Sequence, residues 1–413
     1  MIPSQKVLFV SSIIPDEPRL ITPAFSRAGN MCMENLLHGL NQSETVVDKI
    51  LSMYPIPSFP GSKRFYFSKT RLRLNSGQNI KMLPFINVTP IKQLSAGLAS
   101  YLEIIKWGKK TEATDKIIFT YNITVPPGIF LLAAARRIGA RIVAMIYDVN
   151  IPGETVPSGI PYILDYWQHK KTLRFYDGLV VITNEIAQDF APYVPYICVE
   201  GGIAPDLVEQ YVKFEKTPRH DSDHFTIVAA GGLKEANGIH EIIEAFRLLE
   251  GKNYRLHIAG QGPLEGLVRN AVKKDRRIVY HGFLDFEEVL KLYANADVLL
   301  NMRLTKRLNT RYFFPSKIME YLTSGVPIIS TCPGAMADEY GTFAYLLHEE
   351  TPAALADMIK TVSALPKEQR IARGMAARQY MLENKTWDVQ TEKISGFLKQ
   401  ILKQKQLHGK RKT

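Results

Sequence analysis

The sequence predicts two α/β units, each a doubly wound parallel sheet with helices on both faces, and three observations lead there. The chain has 413 residues, more than one hydrophobic core usually serves, so two domains of ordinary size are expected. Short Val/Ile-rich runs alternate with segments of helical period along most of it. That alternation stops in a polar stretch, Asp206 to Asp223, and starts again near Phe225. Near-continuous apolar strands separated by helices imply parallel sheets buried on both sides.

In the first unit Lys6–Ile14 reads as a strand and Ala28–Leu40 as the helix after it. KIIFT (116–120) is a strand, Pro127–Ile138 a helix, and RIVAMIY (141–147) and GLVVI (178–182) are further strands. In the second, FTIVAA (225–230), RLHIA (255–259), Arg277–Tyr280, Val298–Asn301 and Pro327–Thr331 are the strands. The expected division is residues 1–205, a linker at 206–224 and a second domain at 225–387. The closing helical region, Pro366 to Lys403, is longer than the second unit needs, and its last part, about 388–413, is expected to pack back on the first. Ligands of such sheets bind beyond the carboxyl ends of the strands.

Composition narrows the partners. Hydrophobic residues make up 46% and charged ones 22%, as in soluble globular proteins, and the net charge of +12 calls for an acidic partner. Three cysteines, Cys32, Cys198 and Cys332, stand far apart with no Cys-x-x-Cys pair, which argues against zinc knuckles and disulfide frameworks. Lys6–Val10 follows the start with no leader pattern, and the most apolar long stretch, Gly128 to Tyr147, carries Arg136, Arg137 and Arg141. A soluble, cytoplasmic protein is therefore expected.

The chemistry concentrates in FPSKIMEYLTSGVPIIST, Phe314 to Thr331. Pro315 and Ser316 suit a helix start, Gly325 its end, and Ile328–Ser330 the next strand. Lys317 in the first turn is unfavourable for the helix dipole, and an anionic ligand at the N-terminus would offset it. Glu320 lies one turn on, placed to accept hydroxyl hydrogen bonds. Spacing alone favours reading Lys317 and Glu320 as an exposed i,i+3 pair on a surface helix. No Walker A pattern and no His-Glu-x-x-His occurs, and after Gly260 and Gly262 the third glycine, Gly266, stands one place later than a dinucleotide fingerprint requires.

Further segments fall in order with this one. They are Ala229 to Lys234 (AAGGLK) with Asn237 and Gly238, then His257 to Pro263 (HIAGQGP), Tyr280 to Phe283 (YHGF) and VLKLYANAD (289–297). From Phe225 to about Ser363 the chain resembles the donor domain of GT-B glycosyltransferases, in particular the retaining family 4. The resemblance implies a nucleotide-sugar donor of UDP or GDP type, retention of configuration, and neither cofactor nor metal. It places Ser316, Lys317, Glu320, Gly232, Lys234, Asn237, Gly262, Gly282, Phe283, Arg303 and Tyr312 at the donor. The family's diphosphate-holding arginine and lysine correspond to Gly232 and Asn237 here, with Lys234, Lys317, Arg303 or Arg311 as substitutes. Of the family's paired glutamates the second matches Glu320, and the first falls on Tyr312, which cannot serve as a carboxylate.

The first unit carries the expected acceptor site. Tyr147 and Asp148 close a strand where relatives have a His-Asp or Gln-Asp pair. Asp148 either orients or deprotonates the acceptor hydroxyl or caps the following turn. Gly29 and Asn30 either border the transferred sugar or form a helix cap. Between Lys63 and Lys110 lie ten Lys and Arg residues and one acid, Glu103, interleaved with Phe65, Tyr66, Phe67, Phe85 and Trp107. That mixture suits an anionic membrane or a lipid pyrophosphate head, and no nucleic-acid-binding module accompanies it, so nucleic acid is not expected. The family resemblance implies a lipid-linked saccharide acceptor at the inner membrane face. A non-catalytic nucleotide-sugar scaffold and a dinucleotide-dependent oxidoreductase are the competing readings.

Overall fold

The computed structural model describes residues 5–43, 45–111, 115–122, 127–204, 207–211, 224–251, 253–305, 310–315, 317–331 and 336–410. The chain forms two compact units, Met1–Gly202 together with Trp387–Thr413, and Ile203–Thr386.

In the first unit β1 (Gln5–Ser11) pairs in parallel with β2 (Val46–Ser52) on one side and β7 (Asp115–Tyr121) on the other. Among the described residues the short strands β3 (Tyr66–Phe67) and β6 (Phe85–Ile86) form an antiparallel pair of their own. β4 (Thr70–Arg73) joins β5 (Asn79–Met82) as an antiparallel edge. With β8 (Arg141–Ile146), β9 (Gly178–Val181) and β10 (Tyr196–Cys198) the main sheet runs β10-β9-β8-β7-β1-β2-β5-β4. Its order reverses between β1 and β7, so the crevice for a ligand lies at their carboxyl ends.

The helices of this unit are α1 (Arg27–Gln42), α2 (Ile91–Lys110), α3 (Pro127–Ile138), α4 (Ile160–Thr172) and α5 (Asn184–Phe190). Ser26 caps α1 by accepting from the Gly29 N–H at 3.1 Å. The sequence assigned no element between residues 43 and 110. β2 reads VVDKILS, in which the adjacent Asp48 and Lys49 interrupt the apolar run, and the short strands after it carry too few apolar residues to show a period.

The second unit is a six-stranded parallel sheet. Its strands are β11 (Phe225–Ala230), β12 (Tyr254–Ala259), β13 (Ile278–Tyr280), β14 (Val298–Asn301), β15 (Ile328–Thr331) and β16 (Tyr345–Leu347), in the order β13-β12-β11-β14-β15-β16. This is the dinucleotide-fold order, with its reversal between β11 and β14. Ile227, Leu256, Ile258, Val298 and Leu300 are buried among Ile242, Ile243, Phe246, Val268, Leu355 and Ile359 from the covering helices. These apolar contacts explain why the strand runs were legible: a strand buried on both faces needs side chains of one kind throughout.

The helix Lys367–Asn384 belongs to the second unit, whereas Trp387–Lys410 belongs to the first. Ile394, Phe397, Leu398 and Ile401 of that last helix are buried, and Ser395 Oγ lies 2.6 Å from Thr45 Oγ1. No helix among the described residues is long and apolar enough to cross a membrane.

Candidate functional site

Three loops follow β11, β12 and β13 at the carboxyl end of the second sheet, and backbone hydrogen bonds stitch them together. The Gly231 N–H donates to Ala259 O (2.8 Å), Leu233 N–H to Gln261 O (2.9 Å), Leu264 N–H to Leu233 O (3.0 Å) and Gly260 N–H to Gly282 O (2.7 Å). The loops approach so closely that side chains are excluded at two crossings. A Cβ on Gly260 would lie 1.8 Å from Gly231 O, and one on Gly262 would lie 2.4 Å from Leu233 O. Tyr280 Oη also donates to Gly260 O at 2.9 Å.

At the switch point the expected donor residues meet. The helix Lys317–Thr323 brings Lys317 Nζ to Ala230 O at 2.7 Å, the last residue of β11. Tyr321, fully buried, uses one hydroxyl to donate to Ala230 O (2.9 Å) and to accept from the Ala230 N–H (3.2 Å). The helix is thereby tied to the strand end at both Lys317 and Tyr321. Burial lowers the Lys317 pKa, with Glu320 opposing and Arg303 assisting. Burial likewise raises the Glu320 pKa, with Lys317 opposing. The two are thus an interacting, partly buried pair, which separates them from the exposed surface pair that spacing alone allowed. Tyr211, which sequence reasoning passed over, donates its hydroxyl to Glu320 O at 3.0 Å.

Arg303 comes from the loop after β14. Its guanidinium lies 5.4 Å from the centre of the Phe313 ring, and Nη1 donates to Asn237 Oδ1. Asn237 in turn donates through Nδ2 to Gly232 O at 2.5 Å. Burial lowers the Arg303 pKa. So where the sequence has an uncharged Asn237, the fold supplies a cation from 66 residues away. Lys234 is exposed and Tyr312 is half-buried. Phe283 exposes 70% of its surface beyond β13, at the sheet edge. Ser316 lies outside the described residues.

Asp148 sits in the first unit, beyond β8. Asn122, at the end of β7 with φ of 42°, organises it: Nδ2 donates to Asp148 Oδ2 at 2.7 Å, while Oδ1 accepts from the N–H groups of Tyr147 (2.8 Å) and Asp148 (3.2 Å). Burial raises the Asp148 pKa and the Asn122 bond opposes the shift. Asn122 was missed in the sequence. Its signal was an Asn directly after a strand, the residue that tolerates a left-handed backbone. Asn30 is a clamp on the loop after β1, accepting from the Ile14 N–H (3.1 Å) and donating to Ile14 O (2.9 Å).

The basic segment is more internally occupied than its composition suggests. Lys49, Lys69 and Lys106 reach Glu103 at 3.1, 3.5 and 3.9 Å, and Lys81 also pairs with it. Arg64 lies over the Phe67 ring, and Lys92 donates to Ile56 O. Lys63, Arg71, Lys109 and Lys110 are exposed.

Comparison with known proteins agrees with this architecture. Residues 224–364 match the family described as "Glycosyl transferases group 1". The "Putative colanic acid biosynthesis glycosyltransferase WcaL" of Escherichia coli K12 is 28% identical over 150 residues, 35% of this chain and 37% of that protein. Its Salmonella typhimurium counterpart is 29% identical over 146 residues, 34% and 36% of the two chains. The matched stretch thus spans little more than a third of these relatives.

Among solved structures, Anabaena Alr3699/HepE in complex with UDP superposes with a TM-score of 0.62 at 14% identity, covering 96% of this chain and 100% of that one. A glycosyltransferase from Rickettsia africae gives a TM-score of 0.65 at 15% identity, covering 97% and 99%. The fold is GT-B, built of two Rossmann-like domains.

Proposed function

We propose that the protein is a glycosyltransferase that moves a sugar from a nucleoside-diphosphate sugar to a saccharide or lipid-linked saccharide. The observation that carries this reading is the gathering of Lys317, Arg303, Asn237 and Glu320 around the end of β11, at the switch point of the second sheet. In the reaction a sugar–phosphate bond breaks and negative charge grows on the departing diphosphate. Lys317 and Arg303 would stabilise that charge, and Glu320 would accept the ribose hydroxyls. Asp148 would orient or deprotonate the acceptor hydroxyl, which joins the sugar carbon. Retention of configuration, and a place in surface polysaccharide or glycolipid assembly at the inner membrane face, complete the proposal. The name of the WcaL relatives and the UDP in the HepE complex support it.

The dinucleotide alternative fares worse on geometry. Gly260 and Gly262 follow the second strand of their unit, whereas a dinucleotide fingerprint follows the first. A thermal-shift panel of UDP, GDP, ADP, their sugars and NAD tests the reading. One nucleoside diphosphate and one of its sugars should raise the melting temperature, and the Glu320→Ala variant should lose both the shift and donor hydrolysis. Stabilisation by NAD alone would sink the proposal. Donor binding without hydrolysis or transfer to any acceptor would select a non-catalytic scaffold.

A further inference from the structure

A cavity of about 680 Å³ opens in the first unit, at the switch point of its own sheet. Its volume falls in the range of small-molecule sites. The floor is made by the carboxyl ends of β1 and β7: Ser11, Thr120 and Asn122 line it. The Thr120 hydroxyl is buried there and has no hydrogen-bond partner among the described residues. Such a group is costly unless a ligand or water meets it. Asn122 is the residue that holds Asp148.

The walls and mouth are of a different character. Met53, Ile56 and Leu131 line the interior, and Leu94, Ile160 and Leu164 line the opening. The last three are 50%, 74% and 56% exposed, a concentration of bare aliphatic surface that a soluble domain has no reason to keep. On α2 the exposed Ile91, Leu94, Leu98 and Leu102 extend the apolar surface along one helix face. The Lys92 ammonium, which donates to Ile56 O, lines the cavity as well. One acid, Asp165, also lines it, and Asn150 Nδ2 donates to its Oδ2 at 2.9 Å.

A saccharide alone has no use for these walls, and a bare hydrocarbon has no use for the polar floor or the Lys92 ammonium. We propose that the cavity takes the hydrocarbon chain of an anionic amphiphile, with its phosphate toward Lys92 and its polar acceptor end toward Thr120 and Asn122. The cavity thus selects a lipid-linked acceptor over a free saccharide. This rests on the glycosyltransferase reading for the word acceptor, but the binding itself is measured without turnover.

The test is calorimetric titration of the full chain with monomeric farnesyl phosphate, with inorganic phosphate and with anionic phospholipid vesicles. UDP, or the diphosphate selected by the thermal-shift panel, is titrated separately. Farnesyl phosphate should bind about 100-fold tighter than inorganic phosphate, and the exposed-rim double variant Leu94→Glu/Leu164→Glu should weaken it about tenfold. Nucleotide binding by the same variant should be unchanged, which shows that it is folded. Farnesyl phosphate no tighter than inorganic phosphate, or unaffected by the double variant, overturns the proposal. Vesicle binding without farnesyl phosphate binding overturns it too, because the apolar surface then docks on membranes and takes no chain inside. Loss of nucleotide binding by the wild-type chain would instead count against the glycosyltransferase reading.

Discussion

Arg303 Nη1 donates to Oδ1 of Asn237, and the Asn237 amide is held on its other side by Gly232 O. Two residues that resemblance marked as losses therefore form the seat of a cation from another loop. The guanidinium is also flanked by the Phe313 ring, so its position is set on two sides.

The first prediction follows from that seat. Arg303→Ala should weaken binding of the nucleoside diphosphate by about 10- to 100-fold, the worth of a charge-assisted hydrogen bond. Arg303→Lys should recover only part, since an ammonium cannot keep both the Asn237 bond and a planar fork toward phosphate. Asn237→Leu, which leaves the cation but removes its seat, should cost less than Arg303→Ala. Calorimetry on the three variants checks the order, and equal losses for all three would contradict it.

Lys317 gives a dependence on pH whose sign can be worked out. Burial sets its folded pKa below the ordinary lysine value of 10.5. Between that lowered value and 10.5 the unfolded chain binds more protons, so the stability of the ligand-free protein should rise with pH. Donor binding should move the opposite way, because the diphosphate needs the ammonium. The nucleotide-induced thermal shift should therefore shrink across the same window in which the free protein's melting temperature rises. In Lys317→Met both trends should disappear. A nucleotide shift that is flat with pH in the wild type would remove Lys317 from the donor site.

Glu320 acts on the same titration. Its charge is the influence that raises the Lys317 pKa against burial. Glu320→Gln should lower donor affinity about tenfold at neutral pH through the lost hydroxyl hydrogen bonds. It should also move the alkaline loss of binding to lower pH. A residue that touched the ribose and nothing else would lower affinity and leave the pH limb in place, so titrating both proteins separates the two cases.

How much of this was legible in the sequence depended on whether burial was one-sided or complete. FTIVAA and VLLN were read to the residue because strands buried on both faces repeat one kind of side chain. The helix from Lys317 was legible from its glycine and proline ends. The Arg303–Asn237 seat was not, because it joins loops 66 positions apart and leaves no local pattern. Asn122 left one local mark, its place directly after a strand, while its bond to Asp148 spans 26 positions. In the segment 63–110 composition counts charges and not directions, and Lys69, Lys81 and Lys106 are directed at Glu103.

That carboxylate supports the last prediction. Glu103, on α2, meets Lys49 of β2, Lys69 before β4, Lys81 of β5 and Lys106 of its own helix, and thereby ties α2 to the sheet. Burial pushes its pKa up, but Lys81 and Lys49 overcome this and hold it at about 2. A carboxylate depressed in the folded state stabilises it above the unfolded value of 4.5, and the contribution is lost as pH falls toward 2. The displacement is worth at most about 3 kcal/mol. The gain is smaller than that, because Lys81 loses by its own burial, which lowers its pKa against the pull of Glu103. Removing Glu103 leaves the part-buried Lys49 and Lys81, with side chains 24% and 17% exposed, side by side without their shared counter-charge. Glu103→Gln should therefore unfold at lower urea than the wild type at pH 7, with the gap closing as the pH is taken down through 4 to 2.5. If the gap stays constant with pH, Glu103 holds α2 by packing and not by charge. The apolar mouth at Leu94 would then keep its shape in acid.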